Sequence, residues 1–408
     1  MAGSARTVLL AAVLAALAGC GAAGPDVAVL RGAVVPVVAG DLDAADVAAA
    51  QTAFGVDLLH TLCAADPGGN VLLSPTSAAE ALGLLYPAAA GETATAMGGL
   101  LHLPGWSPDL VAATREHTAA LDGLRTEADP DDDDAPDSLQ LSNRLFTAPG
   151  LRPDPGYLDD LATAFDADVR ELDFAADPQG ATDRINATVA EDTRGVIEEL
   201  FTDPLSGGTG AVLTNAVHLR ARWAQPFTVT APAPFAAPHG EVTVDLMGGG
   251  TGTAGTADGW EAVELPYRDG TLAAVAVLPP EGTDPCAVEA ATLTALAAAT
   301  GEPVDVALPR LGMDVDLDLL PPLLELGLPV GGWPALGAGL EIDEVAQAAY
   351  LRVDEEGTEA AAATGVGLAV SGRAPQRLVT FDRPFLLLLT DTATRSPLFL
   401  TVVDDPSA

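Results

Sequence analysis

Lysine is missing altogether: every one of the 18 basic residues is arginine, set against 58 Asp and Glu for a formal net charge of -40. A surface of that sign repels nucleic acid, polyanions and anionic membrane faces, so recognition of phosphate backbones is excluded. Aromatic residues make up only 4% of the 408 residues, so Ala, Val and Leu must fill whatever core there is. Histidine is scarce, at positions 60, 102, 117, 218 and 239, and no His-Glu-x-x-His or Gly-x-Ser-x-Gly pattern occurs. The usual zinc-peptidase and nucleophile-elbow chemistries are thereby excluded, and no metal, cofactor or enzymatic activity is expected. Three cysteines are too few for a disulfide framework, and Cys63 and Cys286 read as two buried free thiols.

The third, Cys20, has its own context. Arg6 and an apolar run from Val8 to Leu17 precede Leu17-Ala18-Gly19-Cys20, too short a run to span a bilayer. The pattern resembles a bacterial lipobox, which implies lipidation of Cys20 and export, with a membrane contact through the lipid anchor alone. Residues 1–19 are then a signal peptide, 20–44 a tether with one short strand, and 45–408 a single folded domain, attached to the cell envelope or extracellular.

Apolar residues at three- and four-residue spacing predict a helix over 45–64, where His60 is a surface or satisfied residue. Asn70 to Leu73 reads as a strand that breaks at Ser74-Pro75 into a helix capped by Ser74. His117 follows Arg115-Glu116 on a polar helix and is expected in solvent. The acidic run 129–137 lacks the Gly and Glu of a calcium loop and reads as solvated. Residues 211–223 form a long central strand in which Asn215, an amide in apolar company, must find a partner across the sheet. Gly250-Thr251-Gly252-Thr253-Ala254-Gly255 matches the dinucleotide fingerprint, but a strand pattern follows where a helix must open. It reads as a flexible loop. No internal repeat or linker divides residues 45–408, which gives one α+β domain.

Between Tyr350 and Phe385 the chain passes from β-branched residues through Asp354-Glu355-Glu356-Gly357-Thr358-Glu359 into Ala360-Ala361-Ala362-Ala363-Thr364. As a strand this segment has one face fit for burial, starting at Thr358, and another that is small or solvated. The order of residues resembles the reactive-loop hinge of the serpin family, and Phe381-Asp382-Arg383-Pro384-Phe385 resembles the strand after that loop. The blocks at Asn70–Leu82, Leu141–Phe146, Thr193–Ile197 and Ala211–Trp223 resemble serpin segments in order and spacing.

The resemblance implies a large central mixed sheet, two smaller sheets, about eight to nine helices and an exposed reactive-centre loop. It also implies a monomer that irreversibly inhibits serine, or cysteine, proteases. The protease cuts the loop and is trapped as a covalent acyl-enzyme. The freed hinge enters the main sheet, and some 14 residues at about 3.3 Å each carry the protease roughly 45 Å. A sheet-opening cluster of Ser74, Ser77, Asn215, Gln347 and Trp223 is implied, with Gln347 where the family usually has His. Counting back from Phe381 puts the reactive bond at Arg373-Ala374, and counting forward from the hinge puts it at Ser371-Gly372.

Overall fold

Asp43 opens the first helix: its carboxylate accepts from the Ala45 and Asp46 N–H groups while the Asp46 carboxylate accepts from the Asp43 N–H, closing a capping box. Helix α1 (Ala44–Ala65) is long and apolar enough to cross a membrane, but most of it is buried inside the protein, as a core helix is. The computed structural model describes residues 27–126, 136–337, 339–358 and 376–408. Strand β1 (Ala28–Leu30) precedes α1, and β2 (Val71–Leu73), α2 (Pro75–Gly83), α3 (Gly91–Leu100) and α4 (Pro108–Asp122) follow it. Next come β3 (Ser138–Thr147), α5 (Pro155–Ala164), β4 (Val169–Glu171), α6 (Pro178–Asp192) and β5 (Ala211–Arg222). The middle of the chain is β6 (Val229–Ala237), β7 (Gly240–Ala257), β8 (Trp260–Pro266), β9 (Leu272–Leu278) and α7 (Ala290–Ala297). Then follow β10 (Glu302–Pro309), β11 (Leu311–Asp318), α8 (Leu320–Glu325), β12 (Glu344–Val353) and β13 (Gly357–Thr358). The chain closes with β14 (Leu378–Thr380), β15 (Phe385–Asp391) and β16 (Pro397–Val403).

Two sheets organise these elements. The first has seven strands in the order β1-β4-β3-β5-β13-β12-β11, and the second has nine, running β14-β10-β7-β8-β9-β15-β16-β2 with β6 paired to β7. The two smaller sheets expected from the sequence thus run into one another through the 18 residues of β7. Strands β9, β15 and β16 are buried over their whole length and read as near-continuous Ala, Val and Leu, consistent with cover on both faces.

Three expectations are corrected. Residues 250–255 are strand, paired with β10 on one side, Gly250 opposite Val306. A Cβ on Gly250 would lie 2.4 Å from the Phe227 ring, so that glycine serves close packing rather than a loop. Cys63 and Cys286 are bonded to each other, because the end of α1 lies against the 3-10 turn Pro285–Ala287 despite a separation of 223 residues. His117 is fully buried, with Nε2 2.8 Å from the Ser396 hydroxyl.

The short strand expected within residues 20–44 is β1, antiparallel to β4. Beyond it the Ala33 N–H donates to Asp159 and the Val35 N–H to the Thr163 hydroxyl, laying this segment along α5. His60 is satisfied as expected, bonded through Nε2 to the Val288 carbonyl at 2.9 Å.

Candidate functional site: the hinge and the gap in the seven-stranded sheet

Strands β5 and β12 are neighbours along only part of their length. From Glu344↔Val212 to Ala349↔Val217 they pair in parallel, and beyond that they part. Into the parting comes β13, antiparallel to both, with Gly357 opposite Arg222, Thr358 opposite Ala221, and Val353 opposite Thr358. Gly357 and Thr358 are therefore seated at the head of the gap.

The seat is built from backbone bonds and a few side chains. Asp354 accepts from the N–H groups of Glu356 and Gly357 at 2.9 and 3.2 Å, fixing the turn out of β12. The Trp223 N–H donates to the Glu356 carbonyl, the Phe227 N–H to that of Glu355, and the Trp223 indole to that of Asp354, each at 2.9 Å. Arg310 grips the Glu355 carboxylate at 2.6 Å, with the Thr230 hydroxyl as a second donor. Burial pushes that carboxyl up, but these donors outweigh it and hold the group below the usual carboxylate range. Gly357 is required: a Cβ there would stand 2.1 Å from the Ala221 carbonyl oxygen. Thr358 is 1% exposed, its hydroxyl bonded to the Tyr267 hydroxyl, and Tyr267 stacks on Trp223 at 4.5 Å. Burial pushes the Tyr267 phenol far up, so it stays a neutral donor and acceptor.

Where β5 and β12 still pair, a polar cluster closes the sheet over α2. Ser74 caps α2, its hydroxyl accepting from the Ser77 N–H at 3.2 Å. The Gln347 amide accepts from the Ser74 N–H at 2.9 Å and donates to the Ser74 carbonyl at 3.1 Å. It also donates to the Asn215 side chain, whose own amide donates to the Ala346 carbonyl at 3.0 Å. Four of the five residues expected as the sheet-opening cluster thus come together. Trp223 does not join them, since it lies beyond the end of β5, at the seat of the hinge. Over the outer face lies α6, packed through Val189 with Ile197 and Leu200 on Ala216, Ala346 and Ala348. It is pinned to β3 by Arg144 and Ser142, both bonded to Asp192. Burial raises the Asp192 carboxyl, but Arg144 and Ser142 together bring it below the ordinary range.

Of the expected site residues, Glu355, Gly357 and Thr358 are in the seat. Glu359, Ala360, Ala361, Ala362, Ala363 and Thr364, the reactive-bond candidates Ser371, Gly372, Arg373 and Ala374, and Cys20 lie outside the described residues. Arg310, Tyr267 and Asn143 take part without any sequence motif to announce them. Their partners are 45, 91 and 66 residues distant in the chain.

The resemblance implied a large mixed sheet with the segment around Thr358 beside it, and the comparisons with known proteins bear on the family. A profile described as Serpin (serine protease inhibitor) matches residues 49–406. The chain is a serpin. It is 31% identical over 387 residues to the leukocyte elastase inhibitor of Bos taurus, covering 88% of this chain and 99% of that protein. Human thyroxine-binding globulin complexed with thyroxine superposes with a TM-score of 0.74 at 26% identity, over 89% of this chain and 99% of that one. Tengpin, a thermophilic serpin in its native state, gives a TM-score of 0.79 at 22% identity, over 93% and 99% of the two chains, and shows the fold alone. Serpins act on proteases as non-catalytic inhibitors or serve as binding proteins, so the chain is not an enzyme.

Proposed function

We propose that this serpin is an irreversible suicide-substrate inhibitor of serine proteases, with cysteine proteases as a secondary class. The protease attacks Arg373-Ala374, or Ser371-Gly372 if the shorter loop count holds. The acyl-enzyme is then trapped as residues 358 onward enter between β5 and β12. The observation that carries this reading is the position of Gly357-Thr358, already paired at the head of an open gap, with small residues next in line. Bulk or buried charge at Ala360 to Ala363 would slow entry until deacylation won, and none is there.

The same reading places the inhibitor outside the cytosol, lipid-anchored at Cys20, with 1–19 removed and 20–44 leading from the anchor into the domain, which it joins at β1. The Cys63–Cys286 disulfide supports an oxidising compartment. Incubation of the soluble part, from residue 21, with a panel of proteases tests the function. An SDS-stable complex with any of them is expected, and rapid cleavage of the loop with none would sink the reading. The competing reading, a binding or structural module without inhibition, is favoured by the likeness to thyroxine-binding globulin, and that same negative result would support it.

A further inference from the structure

Resting on that reading, we infer that the lipid anchor and the trapped protease belong to the same end of this molecule, so that strand entry carries the protease from the outer end of the anchored domain to its membrane side, against the tether.

Where the chain enters the fold fixes the first half of this. Ala28 lies opposite Glu171 of β4, Glu171 opposite Thr147 of β3, and Thr147 opposite Ala211 of β5. These residues form one row across the seven-stranded sheet. It is the end remote from the hinge, because β5 runs from Ala211 to Arg222 and Gly357 sits opposite Arg222. The 12 residues of β5 put about 36 Å between the two ends. Strand β1 runs from this row toward the hinge, Leu30 lying opposite Val169 and Val169 opposite Leu145, so the residues before it leave the sheet at the remote end. Val27 packs there, on the cluster of Phe146, Leu172 and Val212. Cys20 stands seven residues ahead of Val27, so a lipid on it lies no more than about 25 Å from this end. The membrane therefore adjoins the remote end, and the hinge end faces outward.

The register of β13 fixes the second half. A strand that continues Gly357↔Arg222 and Thr358↔Ala221 puts Leu368 opposite Ala211, in the row where Ala28 stands. Ser371 and Arg373, the two candidates for the acyl bond, come three and five residues later and project past the remote end. Between the entering strand and β1 lie β5, β3 and β4, which makes four strand spacings, or about 19 Å. A protease of about 230 residues is about 45 Å across. Fixed by its active site so near the exit of the tether, it must lie against the tether. A reach of about 25 Å leaves it no room to hang clear of both domain and bilayer. Exposed carboxylates at this end, Asp173, Asp203, Glu341 and Asp343, repel an anionic leaflet and hold that space open. The anchored inhibitor thus meets a protease on its outer side and stores it on its membrane side.

Coupling through Cys20 tests this without reliance on lipidation in the cell. With Cys63 and Cys286 bonded to each other, Cys20 is the remaining thiol. The chain from Cys20 onward is joined to a maleimide lipid in phosphatidylcholine vesicles that carry an acceptor dye. Trypsin, or elastase if Ser371-Gly372 is the bond, carries the donor. The same protease with its nucleophilic serine replaced by alanine binds the loop without acylation and marks the outer position. Energy transfer to the membrane should be roughly threefold stronger for the SDS-stable complex than for the inactive protease, since entry moves the protease about 45 Å inward. A flexible spacer of about 20 Gly and Ser residues after Ala23 adds a mean reach of about 25 Å and should lower the transfer again. Transfer no stronger in the complex than with the inactive protease, or unaffected by the spacer, would overturn this inference while leaving inhibition intact. Absence of an SDS-stable complex with any protease would overturn the inhibitory reading and this inference with it.

Discussion

Replacement of Thr358 by arginine puts the insertion face to its hardest test. The side chain at 358 points into the protein between β5 and β12, 1% exposed and against the Tyr267–Trp223 stack. Among the described residues a guanidinium there finds no free carboxylate: nearby Asp137 already accepts from the N–H groups of Arg222 and Asp269 at 3.0 and 3.1 Å. Burying it unpaired costs several kcal/mol, so the hinge would leave its seat. If only about 3 kcal/mol of that appears in the barrier to entry, entry slows by on the order of a hundredfold. Deacylation is untouched and should then win, turning the inhibitor into a substrate. The assay is the fraction of protease in SDS-stable complex at a fixed ratio, beside the fraction of inhibitor cleaved. Thr358→Val, which keeps the volume and loses only the hydroxyl bond, should cost about 1 to 2 kcal/mol and retain most of the complex. Undiminished complex with Thr358→Arg would refute the assigned face.

Loop cleavage should raise the thermal midpoint by roughly ten degrees, since new ladder bonds and buried side chains sum to on the order of ten kcal/mol; an equal or lower midpoint by calorimetry would mean no insertion. The disulfide closes a loop of 223 residues, worth about 5 kcal/mol in the chain-entropy account. Replacing Cys63 and Cys286 by serine should lower the midpoints of cleaved and uncleaved protein alike, by roughly six degrees, and leave complex formation unchanged. Burial, helped by Arg220 and Arg194, pushes the His218 imidazole on β5 down to about 4 from 6.5. The unfolded chain therefore binds more protons, and stability present above pH 6.5 should fall by about 3 kcal/mol as the pH drops to about 4; denaturant titrations of His218→Gln should lack that part of the fall. Mass spectrometry of the fragment released by trypsin should show Ala374 as its first residue, and a fragment starting at Gly372 in a productive elastase complex would favour the shorter loop count.

The sequence was most legible where a local rule and a burial rule agreed. Ser74-Pro75 announced a capped helix, and Asn215 in an apolar strand demanded a partner, so both led to the cluster at the sheet's centre. His117 was legible in principle and misread: Leu110, Ala113, His117 and Leu121 share one helical face, and all are buried. Its polar neighbours Arg115 and Glu116 belong to the opposite side. Other features carried no local signal. The pairing of Cys63 with Cys286, the grip of Arg310 on Glu355 and the bond from Asn143 to Glu80 join segments 223, 45 and 63 residues apart, brought together by the fold alone. The glycines at 250, 252 and 255 misled because they look like a turn signal, whereas Gly250 answers to the Phe227 ring packed on its strand.

On the proposed mechanism, the same geometry would account for a delay before the loop enters. Where β5 and β12 meet they pair in parallel over six residues, Glu344 to Ala349, the weaker kind of ladder. On the proposed mechanism an entering strand replaces that one parallel ladder with two antiparallel ones, as β13 has already done at Gly357 and Thr358. Each further residue then adds backbone bonds to its neighbours and buries a small side chain, so the exchange runs downhill once begun. What holds it back is local: Gln347 and Asn215 joined across the seam, α6 pinned over it by Asp192, and the tie of Asn143 to α2. These bonds must break before the first new pair forms below Thr358, which places them on the barrier rather than in the final balance. Substitutions that weaken them should therefore change how fast the sheet opens far more than how stable the inserted state becomes.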